Sequence, residues 1–326
     1  MQSEDAGFEK EMIVLHIGLG KTGSTSLQEF LRRNRSALTK RGIEFPDIKG
    51  ISSNGNVTPA ALALVNSVPR WVFGLDPSYR TSNAIFEHFW REILAACTDP
   101  NGTILLSSEE FDAADPHQLR KKTDFDGHTK KIVVFLRRQD RIIESAYVQD
   151  LQYGYTHNSL ESYVDNILKG HSNVYHIYRY DDLLQRWIDA FGHANVIPIV
   201  YKRTDEAYIY RAFLDTLAIP MDPSFTLPPA RNQTAVHPWT LAYLRLFNRS
   251  QVANLLSDKT LDAHRSVLSK VQASFSTTAK RTVLPTKLRK MILSAFQEQN
   301  RLAAKRIRCE NPDLFDMRDI SNLHLY

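Results

Sequence analysis

A short apolar run, followed by a glycine-rich segment and a helical pattern, constrains the fold of this chain more than any other feature. The run from Met12 to Ile17 is rich in apolar and β-branched residues and stops at Gly18, which is typical of a buried strand. From Ser26 onward, apolar residues recur at helical spacing: Leu27, Phe30, Leu31 and Leu38. The sequence therefore predicts a strand, a loop and a helix, and Gly42 suits the end of that helix.

The same alternation continues along the chain. Predicted strands cover 103–107, 131–136 and 196–201, and predicted helices cover 84–97, 182–191 and the residues that follow position 136. Strands and helices that alternate at these lengths predict an α/β fold with a mainly parallel sheet of about five strands. After residue 205 the pattern is chiefly helical, and apolar residues between positions 288 and 307 trace one face of a single long helix. We expect one domain over 12–326, with an α/β core at 12–205 and a helical cap at 206–326, after a flexible terminus at 1–11.

Composition excludes several classes of protein. The longest apolar runs fall far short of the ~18 to 20 residues that cross a bilayer, so no membrane span is expected. Lysine and arginine exceed aspartate and glutamate by 41 to 36, which suits an anionic small ligand but not a nucleic-acid partner. Cys97 and Cys309 cannot form a disulfide framework, and the acidic amino terminus lacks the features of a signal peptide. We therefore expect reduced thiols and a cytoplasmic protein.

The loop from Gly18 to Thr25, between the first predicted strand and helix, has the composition of an anion-binding site. Its position leaves backbone N–H groups unpaired at a helix N-terminus, and its glycines allow the backbone to close around an anion. Lys21 adds positive charge, and the hydroxyls of Thr22, Ser24 and Thr25 can donate further hydrogen bonds. The structural alternative is a surface turn that only caps the helix.

The segment that contains this loop, LHIGLGKTGSTSLQ, resembles the loop of sulfotransferases that use 3′-phosphoadenosine 5′-phosphosulfate (PAPS), especially the bacterial carbohydrate-type members. The pattern in that family runs close to Gly-x-Pro-Lys-Thr-Gly-Thr-Thr-Ser-Leu-Gln, and here Gly20 replaces proline and Ser24 replaces threonine. Leu15 stands where a nucleotide triphosphate loop requires glycine, which disfavours an ATP-dependent enzyme. The resemblance implies a P-loop-type three-layer fold, with these residues around the donor: Gly20, Lys21, Thr22, Gly23, Ser24 and Thr25.

A second motif, VVFLRRQDRIIESAY, agrees with the first. Sulfotransferases of this kind bind the 3′-phosphate of the donor with an arginine at a strand end and a serine eight residues later. Arg137 and Ser145 stand at that separation in this chain. In the alternative interpretation, Arg137 and Arg138 only pair with Asp140 and Glu144 at the surface.

Two later segments are similar to bacterial sulfotransferase-like proteins at lower specificity. They are Arg231 to Thr234, which precedes a helix that ends in Arg249, and Phe296 to Ala303, which is similar to an Asn-x-x-Leu-Ala pattern in those proteins. The resemblance therefore spans about residues 12 to 310. Arg231 is a candidate contact to the donor or to an anionic acceptor, and its alternative is a solvated loop arginine.

Sulfuryl transfer to an alcohol requires a base that takes the acceptor proton. It also requires positively charged protein groups beside the oxygens of the transferred group and the leaving phosphate. Lys21 fits the charge role. The predicted strand at 103–107 is followed by Glu109, the first candidate base, and Glu110, the second, although either carboxylate can instead cap the next helix. His16 is a further candidate, and a core histidine is its alternative interpretation.

The residues and the resemblance together predict a sulfotransferase that uses PAPS and needs no metal. Its acceptor is expected to be a hydroxyl of a carbohydrate or another small polar molecule. An ATP-dependent small-molecule kinase is the competing enzyme, and a non-catalytic nucleotide-binding module is the competing class. Residues 49–80 are expected to form loops and short helices over the acceptor mouth.

Overall fold

The computed structural model describes residues 12–48, 56–64, 82–96, 99, 102–124, 127–171, 175–201, 205, 207–229, 238–250, 257–274 and 283–315. The chain divides into two compact units. Unit 1 combines Met1–Leu136 with Asp182–Pro229, and unit 2 combines Arg137–Asp181 with Ala230–Tyr326. The single domain over 12–326 stays a prediction. Within the described residues, no helix is both long enough and apolar enough to cross a membrane.

Unit 1 is built on a five-stranded sheet in which all paired strands are parallel. The strands are β1 Met12–Ile17, β2 Ile43–Glu44, β3 Thr103–Ser108, β4 Thr129–Leu136 and β5 Val196–Val200. Their order is β2-β3-β1-β4-β5, so β1 is the central strand. The consecutive residues Ile13, Val14 and Leu15 are all fully buried, which shows that both faces of the sheet are covered there. The predicted α/β class and parallel sheet of about five strands are confirmed.

Helices of unit 1 cover this sheet. They are α1 Ser24–Arg33, α2 Arg35–Thr39, α3 Thr58–Leu64, α4 Ser82–Ala95, α5 Pro116–Thr123, the part of α8 (Tyr180–Phe191) from position 182 onward, and α9 Tyr208–Asp215. One buried cluster joins Val133 and Phe135 of β4 to Phe30 of α1 and Phe213 of α9. The first helix begins two residues earlier than the sequence pattern indicates, because Ser24 and Thr25 already have helical geometry after Gly23.

The register of the sheet brings the ends of its central strands together. Ile17, the last residue of β1, pairs with Ser108, the last residue of β3, and His16 pairs with Val133 of β4. Because parallel strands share the edge at which they end, the residues that follow β1 and β3 meet at one edge of the sheet. The loop at Gly18 and the residues after Ser108 therefore lie side by side.

In the described part of unit 2, all regular secondary structure is helical. Its helices are α6 Gln139–Tyr153, α7 Leu160–Leu168, α10 Pro238–Arg249, α11 Asp258–Ser274, α12 Thr286–Ala295 and α13 Gln297–Arg306. The single long helix predicted at its carboxyl end is wrong, since Phe296 leaves helical geometry with φ −102° and ψ 5° and separates α12 from α13. The Phe296 ring is buried, with its centroid 6.0 Å from that of Tyr178. Beyond the break, Leu302 is 40% exposed, so the predicted apolar face does not continue through it.

Candidate active site

The loop after β1 is folded into a tight turn against the end of β3. The backbone N–H of Gly18 donates to the carbonyl of Ser108 at 3.0 Å. The carbonyl of Leu19 accepts from the backbone N–H of Thr22 at 3.3 Å and from its hydroxyl at 2.6 Å. The Thr22 hydroxyl therefore stabilises the turn by an internal hydrogen bond, which is a structural role that the sequence did not indicate.

Two residues of the loop have left-handed backbone geometry. Gly23, at the N-cap of α1, has a φ of 96°, a value that glycine adopts without strain. Lys21 has a φ of 66°, which is costly for a residue with a side chain and is typical of functional sites. The first turn of α1 contains no acidic residue, and its N-cap has no side chain to cover the backbone N–H groups. This end of the helix is electrostatically suited to an anion, with the exposed hydroxyl of Thr25 beside it.

Glu109 lies directly against this loop. β3 ends at Ser108, and a 3₁₀ turn over Glu109–Ala113 follows, in which the Ser108 hydroxyl accepts from the backbone N–H of Glu110 at 3.2 Å. The Ser24 hydroxyl at the start of α1 donates a hydrogen bond to Glu109 Oε1. The structure therefore brings the first candidate base and the candidate anion-binding loop together, as the end-to-end register of β1 and β3 requires.

Gly18 permits this close approach. A Cβ at Gly18 would lie 3.2 Å from both Glu109 Cγ and Ser24 Cβ, whereas a Cβ at Gly20 would meet no atom within 4 Å. Gly18→Ala is expected to lower the free energy of unfolding by about 1 to 3 kcal/mol and to lower activity, because the added methyl group pushes Glu109 away. The matched variant Gly20→Ala is expected to change stability by no more than about 0.5 kcal/mol. Denaturant unfolding of the two variants checks this, and equal losses would contradict the proposed packing.

Two further carboxylates share the turn after β3. The pKa of Glu110 is raised, first by burial and then by the negative charge of Glu109. The pKa of Asp112 is raised to about 7 by burial, with smaller contributions from Glu110 and Glu109, while Arg186 opposes the shift. Asp112 was missed by sequence reasoning, because only the folded turn shows how far it is withdrawn from water. At neutral pH the Asp112 carboxyl group is therefore protonated part of the time.

Asp112→Asn is expected to gain stability over the wild type as pH rises from about 4 to about 7, and the gain should then level off. In this range the aspartate of the unfolded wild type is already ionised, while that of the folded protein retains its proton. The free energy of unfolding of the wild type therefore falls as pH rises. The asparagine does not titrate, and its advantage is on the order of 1 to 4 kcal/mol above pH 7. Denaturant unfolding across this pH range measures the difference, and a difference that is flat with pH would contradict the burial of Asp112.

His16 lies inside the sheet rather than at its edge. The residue is fully buried, and its ring meets those of Phe135 and Phe213 edge-on at 5.7 and 5.9 Å between centroids. His16 Nδ1 is 2.8 Å from the Ser107 hydroxyl, which also accepts from Gln28 Nε2 at 3.1 Å. Burial lowers the pKa of His16 to about 4, so the imidazole is neutral. This environment fits a core histidine, and a role for His16 as the base stays a prediction.

The second motif begins in β4 of unit 1 and continues in unit 2 from Arg137 into the start of α6. Arg137 follows the last residue of β4 and is half-buried, and its backbone carbonyl accepts a hydrogen bond from the hydroxyl of the buried Tyr180. Ser145 lies half-buried in the second turn of α6. The backbone that carries the arginine is thus fixed by a side chain from α8. The 3′-phosphate role of Arg137 and Ser145 stays a prediction.

A buried ion network joins residues of this motif to α12. Asp140 accepts from Arg138 Nε at 2.7 Å and Nη2 at 3.0 Å, and it also accepts from Arg289 of α12. Arg289 Nη2 donates to Glu144 at 3.1 Å. Arg289 is 1% and Asp140 0% exposed, so each charge is compensated by a partner rather than by water. Arg138 therefore pairs with Asp140 as the alternative interpretation expects, but the pair is buried rather than at the surface. Sequence reasoning missed Arg289, because its partners are far away along the chain.

An amide pair also joins α6 to α13. Gln139 Nε2 donates to Asn300 Oδ1 at 2.7 Å, and Asn300 Nδ2 donates back to Gln139 Oε1 at 3.1 Å. Gln139 Nε2 also donates to the carbonyl of Tyr178 at 3.1 Å. Both amides are buried, so Asn300 makes a structural contact with the start of α6.

The remaining predicted features either lie outside the described residues or are placed by the structure as follows. Arg231 and most of the proposed acceptor mouth at 49–80 lie outside the described residues, as does Cys97, while Arg249 ends α10 as expected. Cys309 is a half-buried free thiol. Within the described part of the chain, histidine, cysteine, aspartate and glutamate side chains form no group of three or more that could hold a metal ion.

The five-stranded parallel sheet with its helices and loop matches the fold of a sulfotransferase. One solved structure with a similar fold is a sulfotransferase from Alicyclobacillus acidocaldarius, at a TM-score of 0.53 and 13% sequence identity, over 92% of this chain and 97% of that chain. No protein-family model and no curated protein matches the sequence. The resemblance inferred from the two motifs is thus confirmed at the level of the fold.

Proposed function

We propose that the protein is a sulfotransferase that moves the sulfuryl group of PAPS to a hydroxyl of a carbohydrate or another small polar acceptor. One observation carries the proposal: the loop of Lys21, at the positive end of α1, lies against Glu109 at the end of the neighbouring strand. An anion site and a candidate base are thereby held together. The fold shared with a solved sulfotransferase supports the same activity.

The chemistry follows from these positions. The acceptor oxygen forms a new bond to sulfur while the bond from sulfur to the oxygen of the 5′-phosphate breaks, and the acceptor proton passes to the Glu109 carboxylate. Lys21 and the N-terminus of α1 stabilise the charge that develops on the transferred group and the leaving phosphate. The products are a sulfate ester and 3′-phosphoadenosine 5′-phosphate. We assign the 3′-phosphate to Arg137 and Ser145, and Arg231 to the donor or to an anionic acceptor.

The first experiment compares the binding of 3′-phosphoadenosine 5′-phosphate and ATP by calorimetry. We expect tighter binding of the bisphosphate, because Leu15 occupies the position where a nucleotide triphosphate loop has glycine. Tighter binding of ATP would contradict the proposal and indicate an ATP-dependent small-molecule kinase. Tight binding of the bisphosphate without turnover of PAPS on any of a panel of sugar and alcohol acceptors would favour a non-catalytic module. A cytoplasmic location stays a prediction.

Arg137→Ala and Ser145→Ala are expected to weaken binding of 3′-phosphoadenosine 5′-phosphate far more than binding of 5′-adenosine monophosphate. Only the first nucleotide carries the 3′-phosphate, and deletion of a hydrogen bond to a charged group costs about 1.5 to 3 kcal/mol. Calorimetry with both nucleotides measures the difference. Lys169→Ala is the control. It removes a basic side chain that is 59% exposed at the end of α7, and it should leave both affinities unchanged. Equal losses for the two nucleotides would show that the assignment to the 3′-phosphate is wrong.

A further inference from the structure

Three buried polar side chains lie at the loop end of the core of unit 1, and we call them the buried triad: His16 on β1, Gln28 on α1 and Ser107 on β3. His16 and Ser107 are fully buried, and Gln28 is 8% exposed. Val14 and Leu105, two residues earlier on the same faces of β1 and β3, belong to an apolar cluster that includes residues of α1. Apolar residues in place of the triad would extend that cluster, so the three polar side chains need a separate explanation.

The buried triad is joined through the Ser107 hydroxyl. Gln28 Nε2 donates to Ser107 Oγ at 3.1 Å, and His16 Nδ1 lies 2.8 Å from the same oxygen. Because Ser107 Oγ accepts from Gln28, the Ser107 proton can be donated to His16 Nδ1, and this pattern assigns the imidazole proton to Nε2. His16 and Ser107 are also paired in the register of the sheet, so their side chains lie on the same face.

Stability alone is a weak reason for the buried triad. Among the residues that the structure describes, His16 Nε2 has no hydrogen-bond partner, although the ring is fully buried. A buried polar network with an unsatisfied member stabilises a fold less than apolar side chains of the same size. Hydrogen bonds are directional, however, so the network fixes the relative position of the elements that it joins. Those elements are β1, β3 and α1.

A second contact between α1 and the end of β3 lies one helical turn closer to the loop. The Ser24 hydroxyl donates to Glu109 Oε1. Ser24 precedes Gln28 by four residues, which is about 6 Å along the axis of α1. Ser107 precedes Glu109 by two residues, which is about 7 Å of extended chain. The two spacings match, so the bond from Gln28 to Ser107 and the bond from Ser24 to Glu109 are successive links between the same two elements.

We propose that Gln28 and Ser107, supported by His16, are positioning residues that hold Glu109 beside the donor site at the start of α1. The bond from Gln28 to Ser107 prevents the end of β3 from sliding along α1, and it thereby keeps the Glu109 carboxylate at Ser24. All three members of the triad are buried, so they act through Glu109 rather than by contact with the donor or the acceptor. The inference rests on the proposed function and deepens it, because it identifies the residues that place the base.

Gln28→Met is the first test, because methionine keeps the length of the side chain and lacks the donor to Ser107. We expect kcat with PAPS to fall roughly tenfold, since a small displacement of a catalytic group is costly in rate. The affinity for 3′-phosphoadenosine 5′-phosphate, measured by calorimetry, should change by less than about twofold, because the groups proposed to hold the donor are unaltered. Ser107→Ala breaks both bonds of the triad, and its loss in kcat should be at least as large.

Double variants separate a positioning role from a general structural one. In the background of Glu109→Gln, Gln28→Met should lower the residual kcat by less than about twofold, because the base that Gln28 positions is absent. In the background of Lys21→Ala, Gln28→Met should still lower kcat roughly tenfold, because Glu109 is intact. A tenfold loss in both backgrounds would show that Gln28 does not act through Glu109, and it would overturn the proposal.

Thr123→Val is the matched control for the loss of a buried hydrogen bond in unit 1. Thr123 is fully buried at the end of α5, and its hydroxyl donates to the carbonyl of Leu119 at 2.9 Å. The free energy of unfolding should fall in this variant as it does in Gln28→Met, but kcat should be unchanged. An equal loss of kcat in the two variants would assign the effect to stability and contradict the positioning role.

Hydrogen exchange tests the proposal independently of turnover. The backbone N–H of Gly18 donates to the carbonyl of Ser108 at 3.0 Å, so its exchange rate reports the junction between the loop and β3. Exchange at Gly18 should be faster in Gln28→Met than in the wild type and in Thr123→Val. Equal exchange in all three proteins would overturn the proposal. If the wild type transfers no sulfuryl group from PAPS, the proposed function fails, while this comparison still decides whether Gln28 holds the loop and β3 together.

Discussion

Lys21→Ala is expected to remove most of the proposed sulfotransferase activity while leaving the fold intact. The side chain belongs to a loop at the positive end of α1, where its charge can stabilise the transferred group and the leaving phosphate. The loss of one such electrostatic contact costs about 10²- to 10³-fold in kcat. Steady-state kinetics with PAPS measure the loss, and thermal unfolding checks the fold.

Lys21→Gly separates the charge from the backbone of the loop. Because Lys21 has a φ of 66°, glycine relieves the strain there, and this variant should unfold at a higher temperature than Lys21→Ala. Its activity should be equally low, since the charge is absent in both variants. Recovery of activity in Lys21→Gly would contradict the charge role and assign the loss in Lys21→Ala to the shape of the loop.

Glu109→Gln is expected to preserve donor affinity and to lower kcat by about 10²- to 10⁴-fold, the usual contribution of a general base. The amide can still accept the hydrogen bond from Ser24, so the loop should keep its shape. It cannot take the proton of the acceptor hydroxyl at neutral pH. Calorimetry with 3′-phosphoadenosine 5′-phosphate and kinetics with PAPS measure the two effects separately.

Glu110→Gln and His16→Ala are the matched comparisons. Glu110 is half-buried on the same turn, and His16 is enclosed in the core, so neither variant should match the loss in Glu109→Gln. His16→Ala should instead lower stability, because it removes a fully buried ring from between Phe135 and Phe213. A near-normal rate in Glu109→Gln together with a large loss in Glu110→Gln would transfer the role of base to Glu110.

Much of the fold is predictable from the sequence because its parallel strands are buried on both faces. The runs that became β1, β3, β4 and β5 are short, apolar and bounded by polar or glycine residues. The break at Phe296 was not predictable from the same reasoning. Hydrophobic spacing reports which side chains are buried, and Phe296 is buried whether the helix continues through it or ends there.

The site is predictable only where it is local in sequence. The loop and the carboxylates after β3 were found because glycines, a lysine and two glutamates stand at strand ends. The bond between Ser24 and Glu109, the raised pKa of Asp112 and the partnership of Arg289 with Asp140 each join groups distant in sequence or depend on burial. No periodicity or spacing carries that information.

The central position of β1 has a consequence for how the protein is made. β1 is synthesised first, but it pairs with β3 and β4, and β4 pairs with β5, which follows only at Val196–Val200. Such distant pairings close long loops, so unit 1 is expected to fold slowly and only after most of the chain has left the ribosome. A fragment that ends before Val196 would leave the edge of β4 unpaired and exposed to other chains. Truncations in this region should therefore aggregate rather than yield a soluble half of the protein.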